Sequence, residues 1–412
     1  MARRPLRIAY LSDFSPLDRN LYSGGNARIH DALRAHAGEV TILPMDWGSA
    51  DPIRRAILSL PDALSLRLRW RAHMALAAIV ARRVEAALRE GCYDVLFGAY
   101  AFQSLLCLRL PYPMTVAYTS DATHSVYRES EIGRAHPALI PGGRLMDDWV
   151  ERAEAEVFRR ADLLLWPSQW MMDETAARYG LSGGSAHLVP WGANIAPPPP
   201  PPPRSLSRSG RLHLLLVGRN WWAKGGPVAQ EVMCLLRARG IDARLTVIGC
   251  VPPPEAQGPF IEVHPHLDKS VPEQEALFRE LYARAHFVVM PSFESYGFAF
   301  CEASAHGVPS LCLRVGGVPV RDGINGYALP IGSGAEAFAA RILACLDAPG
   351  HYAALARSSR EEYETRLNWD AWGRRVGDLL EAHVAERDAA CAPAATADRA
   401  CRGADLRRAA RH

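Results

Sequence analysis

The chain has 412 residues, of which 49% are hydrophobic and 22% are charged, and its formal net charge is +3. That length accommodates two or three domains with cores of their own, and the composition excludes a disordered, fibrous or disulfide-stapled protein. So small a net charge, without a concentrated basic face, argues against a nucleic-acid partner.

The first part of the chain alternates short apolar runs with helical stretches. Buried strands are predicted at residues 6–11, 40–43, 94–97, 115–118, 162–166 and 187–189, and the helices between them include residues 27–35, 79–89 and 149–160. Strands that alternate with helices indicate a doubly wound parallel sheet, whose ligands bind beyond the carboxyl ends of the strands. We therefore predict an N-terminal Rossmann-like domain over residues 1–196.

Seven consecutive prolines at residues 197–203 interrupt this pattern. A polyproline II segment is stiff and joins neither a sheet nor a helix, so we predict a domain linker over residues 197–210. A ligand for an SH3-type domain is the alternative, which is disfavoured because the tract lies where two domains should meet.

The alternation of strands and helices restarts after the prolines. Strands are predicted at residues 212–217, 245–248, 287–290 and 310–313, and helices at residues 227–239, 273–285 and 298–306. They indicate a second Rossmann-like domain over residues 211–366. We expect a C-terminal helix at residues 367–388 that packs back toward the N-terminal domain. Residues 389–412 are rich in Ala and Arg without an apolar period, so we expect a disordered tail there.

The cysteine content and the hydropathy of the chain indicate its cellular compartment. The nine cysteines are an odd number with no pair at CxxC spacing, which favours reduced thiols. The charged first residues run directly into a strand without the hydrophobic region of a signal peptide, and no apolar run is long enough to cross a membrane. We expect a cytoplasmic protein, or one attached peripherally at the inner membrane surface.

Two cations, Arg219 and Lys224, stand between a predicted strand and a predicted helix, beside Gly225 and Gly226. Only two of the 47 basic residues are lysines, and Lys224 is one of them. The N-terminus of a helix already favours an anion, and charge-assisted hydrogen bonds suit phosphate. We interpret the segment as a diphosphate site; the alternative is two surface charges beside a turn.

Two carboxylates follow a later strand. Glu294 lies in the loop after the strand and Glu302 about one turn into the next helix, so both can face one cleft and accept hydrogen bonds from sugar hydroxyls. The backbone N–H groups of Gly297, Phe298 and Ala299 are available to a phosphate. Taken singly, Glu294 could be a helix cap and Glu302 a solvated charge.

The segment 294–302 resembles the E-x7-E signature of family-4 retaining glycosyltransferases of the GT-B fold. Arg219 and Lys224 match that family's G-R-x-x-x-x-K-G pattern. Residues 161–168, 189–194, 306–309, 316–317 and 322–326 resemble its other loops, so the resemblance covers nearly the whole chain up to about residue 385. It implies an α/β protein whose two doubly wound, Rossmann-like domains face a cleft.

The resemblance also implies roles for these residues. Arg219 and Lys224 would neutralise the departing diphosphate, Glu294 would contact the transferred sugar and Glu302 would bind the donor ribose, with Tyr296 among the substrate contacts. Residues 250–252 and 265–269 would frame the nucleobase. The resemblance implies a nucleoside-diphosphate sugar as donor and a glycan, lipid-linked or small-molecule acceptor. The chain has no DxD motif and no His/Cys cluster with ligand spacing, so we predict no metal and no cofactor.

The first domain is expected to supply the acceptor side. Gly24 and Gly25 resemble the family's glycine loop, which approaches the donor phosphate; an ordinary strand-to-helix turn is the alternative. Asp121 follows a strand where many relatives carry His-Asp, and we expect it to orient the acceptor hydroxyl or the donor sugar. Ser120 occupies the place of the histidine. His124 could take over its role, although a structural histidine is the favoured interpretation.

Residues 51–90 hold eight arginines against four acidic residues, interleaved with Leu, Ile and Trp. A solvated pair of helices in an arginine-rich chain is the favoured interpretation. The alternative is an amphipathic surface that contacts anionic lipid or a lipid-linked acceptor.

Three other functions could use the same cleft. A GT-B isomerase or epimerase would place acid–base groups in the first domain in a pattern that this chain does not match. A phosphorylase would need a pyridoxal lysine, whereas Lys224 is already assigned. A non-catalytic nucleotide-sugar sensor remains open because of Ser120. The sequence favours a metal-independent retaining glycosyltransferase that acts on an acceptor hydroxyl.

Overall fold

A computed structural model describes residues 4–19, 21–135, 144–181 and 184–409. Its N-terminal domain holds a parallel sheet of six strands in the order β2-β1-β3-β4-β5-β6. The strands are β1 Leu6–Ser12, β2 Gly38–Ile42, β3 Val95–Ala99, β4 Thr115–Thr119, β5 Leu163–Trp166 and β6 Ala186–Leu188. The helices are α1 Gly25–His36, α2 Asp51–Leu58, α3 Asp62–Ala75, α4 Ala77–Arg89, α5 Phe102–Leu105, α6 His124–Glu129, α7 Glu131–Ala135, α8 Arg144–Arg160 and α9 Gln169–Tyr179.

The C-terminal domain holds a second parallel sheet of six strands, in the order β12-β11-β10-β7-β8-β9. The strands are β7 Arg211–Val217, β8 Asp242–Ile248, β9 Ile261–His264, β10 Phe287–Met290, β11 Ser310–Leu313 and β12 Gly326–Leu329. The helices are α10 Gly226–Ala238, α11 Pro272–Arg284, α12 Phe298–Ala305, α13 Ala335–Asp347, α14 Pro349–Thr365 and α15 Trp369–Ala409. The two doubly wound parallel sheets predicted from the sequence are confirmed. The sequence analysis missed β9 and β12, which lie at the sheet edges, where one side of a strand has no neighbour to bury it.

An aromatic cluster joins the two domains. Trp191 follows β6 and is fully buried. Its ring stacks on that of Phe298, with centroids 5.7 Å apart, and its carbonyl oxygen accepts a hydrogen bond of 2.7 Å from the hydroxyl of Tyr296. A Cβ atom at Gly192 would lie 2.4 Å from the backbone nitrogen of Trp369, so only glycine permits this close approach. The cluster places the start of α12 and the start of α15 against the end of the N-terminal domain.

The last helix returns to the N-terminal domain. α15 packs along α1, where His36 Nε2 lies 2.8 Å from Asp370 Oδ1 and a Cβ atom at Gly373 would lie 3.0 Å from the carbonyl oxygen of Ala32. The structure extends this helix over residues 389–409, where the sequence predicts a disordered tail. Alanine and arginine are strong helix formers, so these residues can form a helix without an apolar period. Residues 410–412 of the predicted tail lie outside the described residues.

The proline tract lies along the C-terminal domain. Arg360 donates to the carbonyl oxygens of Pro198 at 3.1 Å and Pro199 at 3.4 Å, and Arg279 donates to that of Pro197 at 3.5 Å. Arg204, directly after the tract, donates to the carbonyl oxygens that end α11 and α12. These bonds hold residues 197–204 against one domain. The domain boundaries themselves stay a prediction from the sequence.

Within the described ranges, no helix combines the length and the apolar character that are needed to span a membrane.

Candidate functional site

Two loops of the C-terminal sheet lie side by side. β7 and β10 are neighbouring parallel strands, with Leu214 paired to Phe287 and Leu215 to Val288. The loops that follow them, residues 218–225 and 291–297, therefore leave the same edge of the sheet. This is the edge at which doubly wound sheets bind their ligands.

Lys224 and Glu294 meet between these loops. Lys224 Nζ contacts Glu294 Oε1, and the same oxygen accepts a hydrogen bond of 2.7 Å from the hydroxyl of Ser292. A Cβ atom at Gly218 would lie 2.3 Å from Lys224 Cγ, so the aliphatic part of the lysine packs directly on that glycine. The contact unites the two charged motifs predicted from the sequence, which lie 70 residues apart.

Arg219 lies in the loop after β7, as expected, and its side chain is exposed. Its place in the loop is consistent with the predicted diphosphate site.

Glu302 is buried, with 3% of its surface exposed. Its two carboxylate oxygens have different partners: Oε1 contacts Lys269 Nζ, and Oε2 accepts a hydrogen bond of 3.2 Å from the hydroxyl of Tyr282. The alternative of a solvated charge does not hold for this residue. The sequence analysis expected residues 265–269 only to frame the base, so it missed the lysine as a partner of Glu302. Its scarcity in the chain was the available signal.

The start of α12 carries the predicted backbone donors. Gly297 has φ of 93°, a left-handed conformation that favours glycine, and Phe298 begins the helix. The N–H groups of Gly297, Phe298 and Ala299 thus belong to a helix N-terminus, where no carbonyl of the same helix can accept from them. The glycine loop of the N-terminal domain lies opposite: Gly24 has φ of 86°, and a Cβ atom at Gly25 would lie 2.7 Å from Phe298 Cζ.

The side chain of Tyr296 does not reach this cleft. It is 2% exposed and its hydroxyl donates to the carbonyl oxygen of Trp191, so its polar group is used within the domain interface. Burial also raises the pKa of the phenol well above its ordinary value. We correct the expectation that this side chain contacts substrate.

Asp121 extends from the end of β4 toward the Glu294 loop. Ser295 Oγ donates to Asp121 Oδ2 at 2.5 Å, which joins the two domains across the cleft. Burial raises the pKa of the Asp121 carboxyl, and the nearby charge of Glu294 raises it further, while the bond from Ser295 opposes the shift. The structure therefore places Asp121 beside the Glu294 loop of the C-terminal domain.

The two residues that could replace the family's histidine are both committed to local structure. Ser120 is buried, and its hydroxyl donates to the carbonyl oxygen of Ala122 at 2.7 Å. His124 begins α6 and stacks on Trp70 with ring centroids 4.3 Å apart. Burial lowers the pKa of His124 to about 4, so its imidazole is neutral at pH 7. The structure favours the interpretation of a structural histidine.

A second polar cluster lies at the carboxyl end of β1, and the sequence analysis did not identify it. Ser104 Oγ donates to Asp13 Oδ1 at 2.7 Å and lies 3.2 Å from His73 Nε2, and all three residues are buried. Burial lowers the pKa of His73. The cluster fixes α3 over the end of the N-terminal sheet.

No group of three or more His, Cys, Asp or Glu side chains that could hold a metal ion occurs among the described residues.

Comparisons with known proteins identify related chains. Residues 211–348 match the family model of "Glycosyl transferases group 1". A D-inositol 3-phosphate glycosyltransferase of Pseudarthrobacter chlorophenolicus is 30% identical over 52% of this chain and 54% of that protein. A GDP-mannose-dependent alpha-(1-6)-phosphatidylinositol monomannoside mannosyltransferase of Mycolicibacterium smegmatis is 27% identical over 56% of this chain and 64% of that protein. The chain thus spans little more than half the length of the first of these relatives.

A solved structure extends the likeness in fold to most of the chain. Sucrose-phosphate synthase from Thermosynechococcus elongatus superimposes with a TM-score of 0.64 at 18% identity, covering 93% of this chain and 100% of that one. At this level of identity the similarity concerns the fold alone.

The raised pKa of Asp121 leads to a pH-dependent prediction. Because folding raises this pKa, the buried charge destabilises the folded state at neutral pH, and the effect fades as the pH falls toward 3.8, the ordinary value for the group. Asp121→Asn should therefore increase the free energy of unfolding at pH 7, with a gain that shrinks on acidification. Urea unfolding across this pH range measures the gain, with exposed Asp347→Asn as control. A gain that grows on acidification would contradict the assignment.

Proposed function

Because the chain belongs to the glycosyl transferases group 1 family and has the GT-B fold, we propose that it transfers a sugar from a nucleoside diphosphate to an acceptor hydroxyl. The observation that carries the proposal is the contact between Lys224 Nζ and Glu294 Oε1. It sets a cation for phosphate and a carboxylate for sugar hydroxyls side by side, at the edge of the sheet where a ligand enters.

The cations act on the leaving group. Transfer breaks the bond between the anomeric carbon and the diphosphate oxygen, so negative charge develops on the departing phosphate. Arg219 and Lys224 stabilise that charge in the transition state, and the N–H groups at the start of α12 add fixed dipoles of the same sign. The acceptor oxygen forms the new bond with retained anomeric configuration, and its proton leaves with the phosphate oxygen.

The carboxylates hold the two ends of the donor. Glu294 accepts hydrogen bonds from hydroxyls of the transferred sugar, and its contact with Lys224 holds its carboxylate beside the phosphates. Glu302 accepts from the donor ribose. Gly24 and Gly25, lying close to Phe298, allow the backbone of the N-terminal domain to approach the phosphates from the opposite side.

The acceptor belongs on the side of the N-terminal domain, near Asp121. The names of the relatives include an inositol phosphate and a phosphatidylinositol mannoside. We extend that chemistry to this chain as a polyol acceptor, either a free small molecule or one carried by a glycan or a lipid. Asp121 is the group that would orient its hydroxyl.

As a secondary proposal, residues 51–90 contact the cytoplasmic surface of a membrane peripherally. On α2, Ile53 and Leu58 are 47% and 43% exposed. Arg54 and Arg55 both pair with Asp51, which offsets part of the local positive charge. Exposed apolar side chains beside arginines suit an anionic bilayer surface, whereas the ion pairs suit a solvated helix.

Vesicle binding distinguishes the two interpretations of α2. If α2 contacts lipid, the protein should sediment with vesicles containing phosphatidylglycerol more than with pure phosphatidylcholine, and Ile53→Glu should reduce that fraction at least twofold. Ile331→Glu, an equally exposed site in the C-terminal domain, is the control. Equal sedimentation with both lipids would leave α2 as a solvated helix.

Variants of the central pair test the catalytic assignment. Lys224→Ala and Glu294→Ala should each lower turnover at least tenfold, or about 1.4 kcal/mol of transition-state stabilisation, with the thermal unfolding temperature retained. Arg239→Ala and Glu336→Ala interrupt an ion pair on the surface of the same domain and should leave turnover unchanged. Unchanged turnover in both site variants would remove the assignment.

A donor panel separates transfer from the alternative functions. Purified protein incubated with a set of sugar nucleotides and EDTA should slowly release nucleoside diphosphate, because protein cations replace a metal at the leaving group. Mass spectrometry identifies the donor. Formation of an epimerised sugar would favour the isomerase, binding without turnover would favour the sensor, and activity that returns only with magnesium would contradict the cationic mechanism.

A further inference from the structure

The second lysine of the chain lies at a point where three segments meet. Lys269 follows β9, and its ammonium group contacts Glu302 Oε1 on α12. The same Nζ lies 3.4 Å from the carbonyl oxygen of Asn194, in the segment that leaves the N-terminal domain. It also lies 4.5 Å from the centroid of the Phe278 ring on α11. Lys269 thus connects the donor side of the C-terminal domain to the chain segment that arrives from the N-terminal domain.

The position of the ammonium group is set by its surroundings. The ring of Phe278 attracts the cation over its face, which restricts a side chain that is otherwise flexible. Asn194 is itself held: its Nδ2 donates to the carbonyl oxygen of Ser23 at 2.7 Å, and its Oδ1 accepts from Trp369 Nε1 at 3.0 Å. The main chain to which Lys269 donates is therefore fixed to the glycine loop and to the start of α15.

Glu302 needs such a cation. An ionised carboxylate that is 3% exposed destabilises the folded protein unless opposite charge and hydrogen bonds compensate it. Lys269 supplies the charge and Tyr282 a hydrogen bond to the other oxygen. Each oxygen keeps a second acceptor direction, which is the capacity that two ribose hydroxyls require.

Resting on the proposed function, we infer that Lys269 is a positioning residue for the donor ribose. It orients Glu302 so that the free acceptor directions of the carboxylate face the cleft. Because Lys269 also donates to Asn194, the orientation of Glu302 is tied to the segment that holds the glycine loop. Lys269 acts through Glu302 and does not itself touch the reacting atoms.

A cycle of variants and nucleotides tests this role. Calorimetry measures the affinity of the full chain for UDP and GDP and for their 2′,3′-dideoxy counterparts. Lys269→Met should weaken the better-binding ribonucleotide about tenfold and its dideoxy counterpart less than about twofold, because the latter has no ribose hydroxyls for Glu302. Lys269→Arg should recover most of the affinity. Arg284→Met, which interrupts a surface ion pair with Glu262 at the end of α11, should change neither affinity.

A second cycle covers the case in which Lys269→Met unfolds the protein. The double variant Lys269→Met/Glu302→Gln contains no uncompensated buried charge. It should bind the ribonucleotide as Glu302→Gln alone does, because Lys269 then has no carboxylate to orient. The positioning role would be overturned if the affinity losses caused by Lys269→Met and Glu302→Gln were additive in the double variant. It would also be overturned if Lys269→Met weakened the binding of ribonucleotide and dideoxynucleotide equally.

The same measurements separate this inference from the proposed function. A wild-type protein that binds neither UDP nor GDP and releases nucleoside diphosphate from no sugar nucleotide of the donor panel would overturn both. A wild-type protein that releases nucleoside diphosphate from a sugar nucleotide, with an affinity that Lys269→Met leaves unchanged, would overturn only the role of Lys269.

Discussion

The burial of Trp191 between the two domains is the contact on which the geometry of the site depends. Its ring packs on those of Phe298 and Tyr296, and burying an aromatic side chain of this size contributes about 2–3 kcal/mol. Because Phe298 is also the first residue of α12, the contact that joins the domains sets the direction of that helix. The N-terminus of α12 consequently faces Gly25, and the cleft has backbone N–H groups and a glycine loop on opposite sides.

Both lysines of the chain pair with glutamates of the cleft. The chain has two lysines, and each contacts one glutamate of the E-x7-E segment: Lys224 with Glu294 and Lys269 with Glu302. An ammonium group is a compact point charge, whereas a guanidinium is wide and planar, so lysine fits a single carboxylate oxygen in a confined place. Arg219, by contrast, lies where its side chain is exposed.

The motifs whose positions the sequence predicted correctly are those that directly follow a strand. Arg219, Lys224 and Glu294 each follow a strand, and the parallel order of β7 and β10 brings their loops to one edge whatever the side chains do. Tyr296 and Lys269 were misjudged for a different reason. The side chain of Tyr296 points into the domain interface, where its hydroxyl donates to the carbonyl oxygen of Trp191, and Lys269 reaches Glu302 from the loop between β9 and α11. The local sequence pattern does not encode the direction in which either side chain points.

Sequence by itself determined the two doubly wound sheets, the loops that carry charge and the family that these loops resemble, because periodicity and spacing are local properties of the chain. Tertiary structure alone decided which cation meets which carboxylate, that Ser295 reaches Asp121 across the cleft, and that the prolines lie on one domain. These contacts join segments far apart in the chain. The direction of a side chain at a domain interface depends on the surface of the other domain. No single segment of the sequence contains that information.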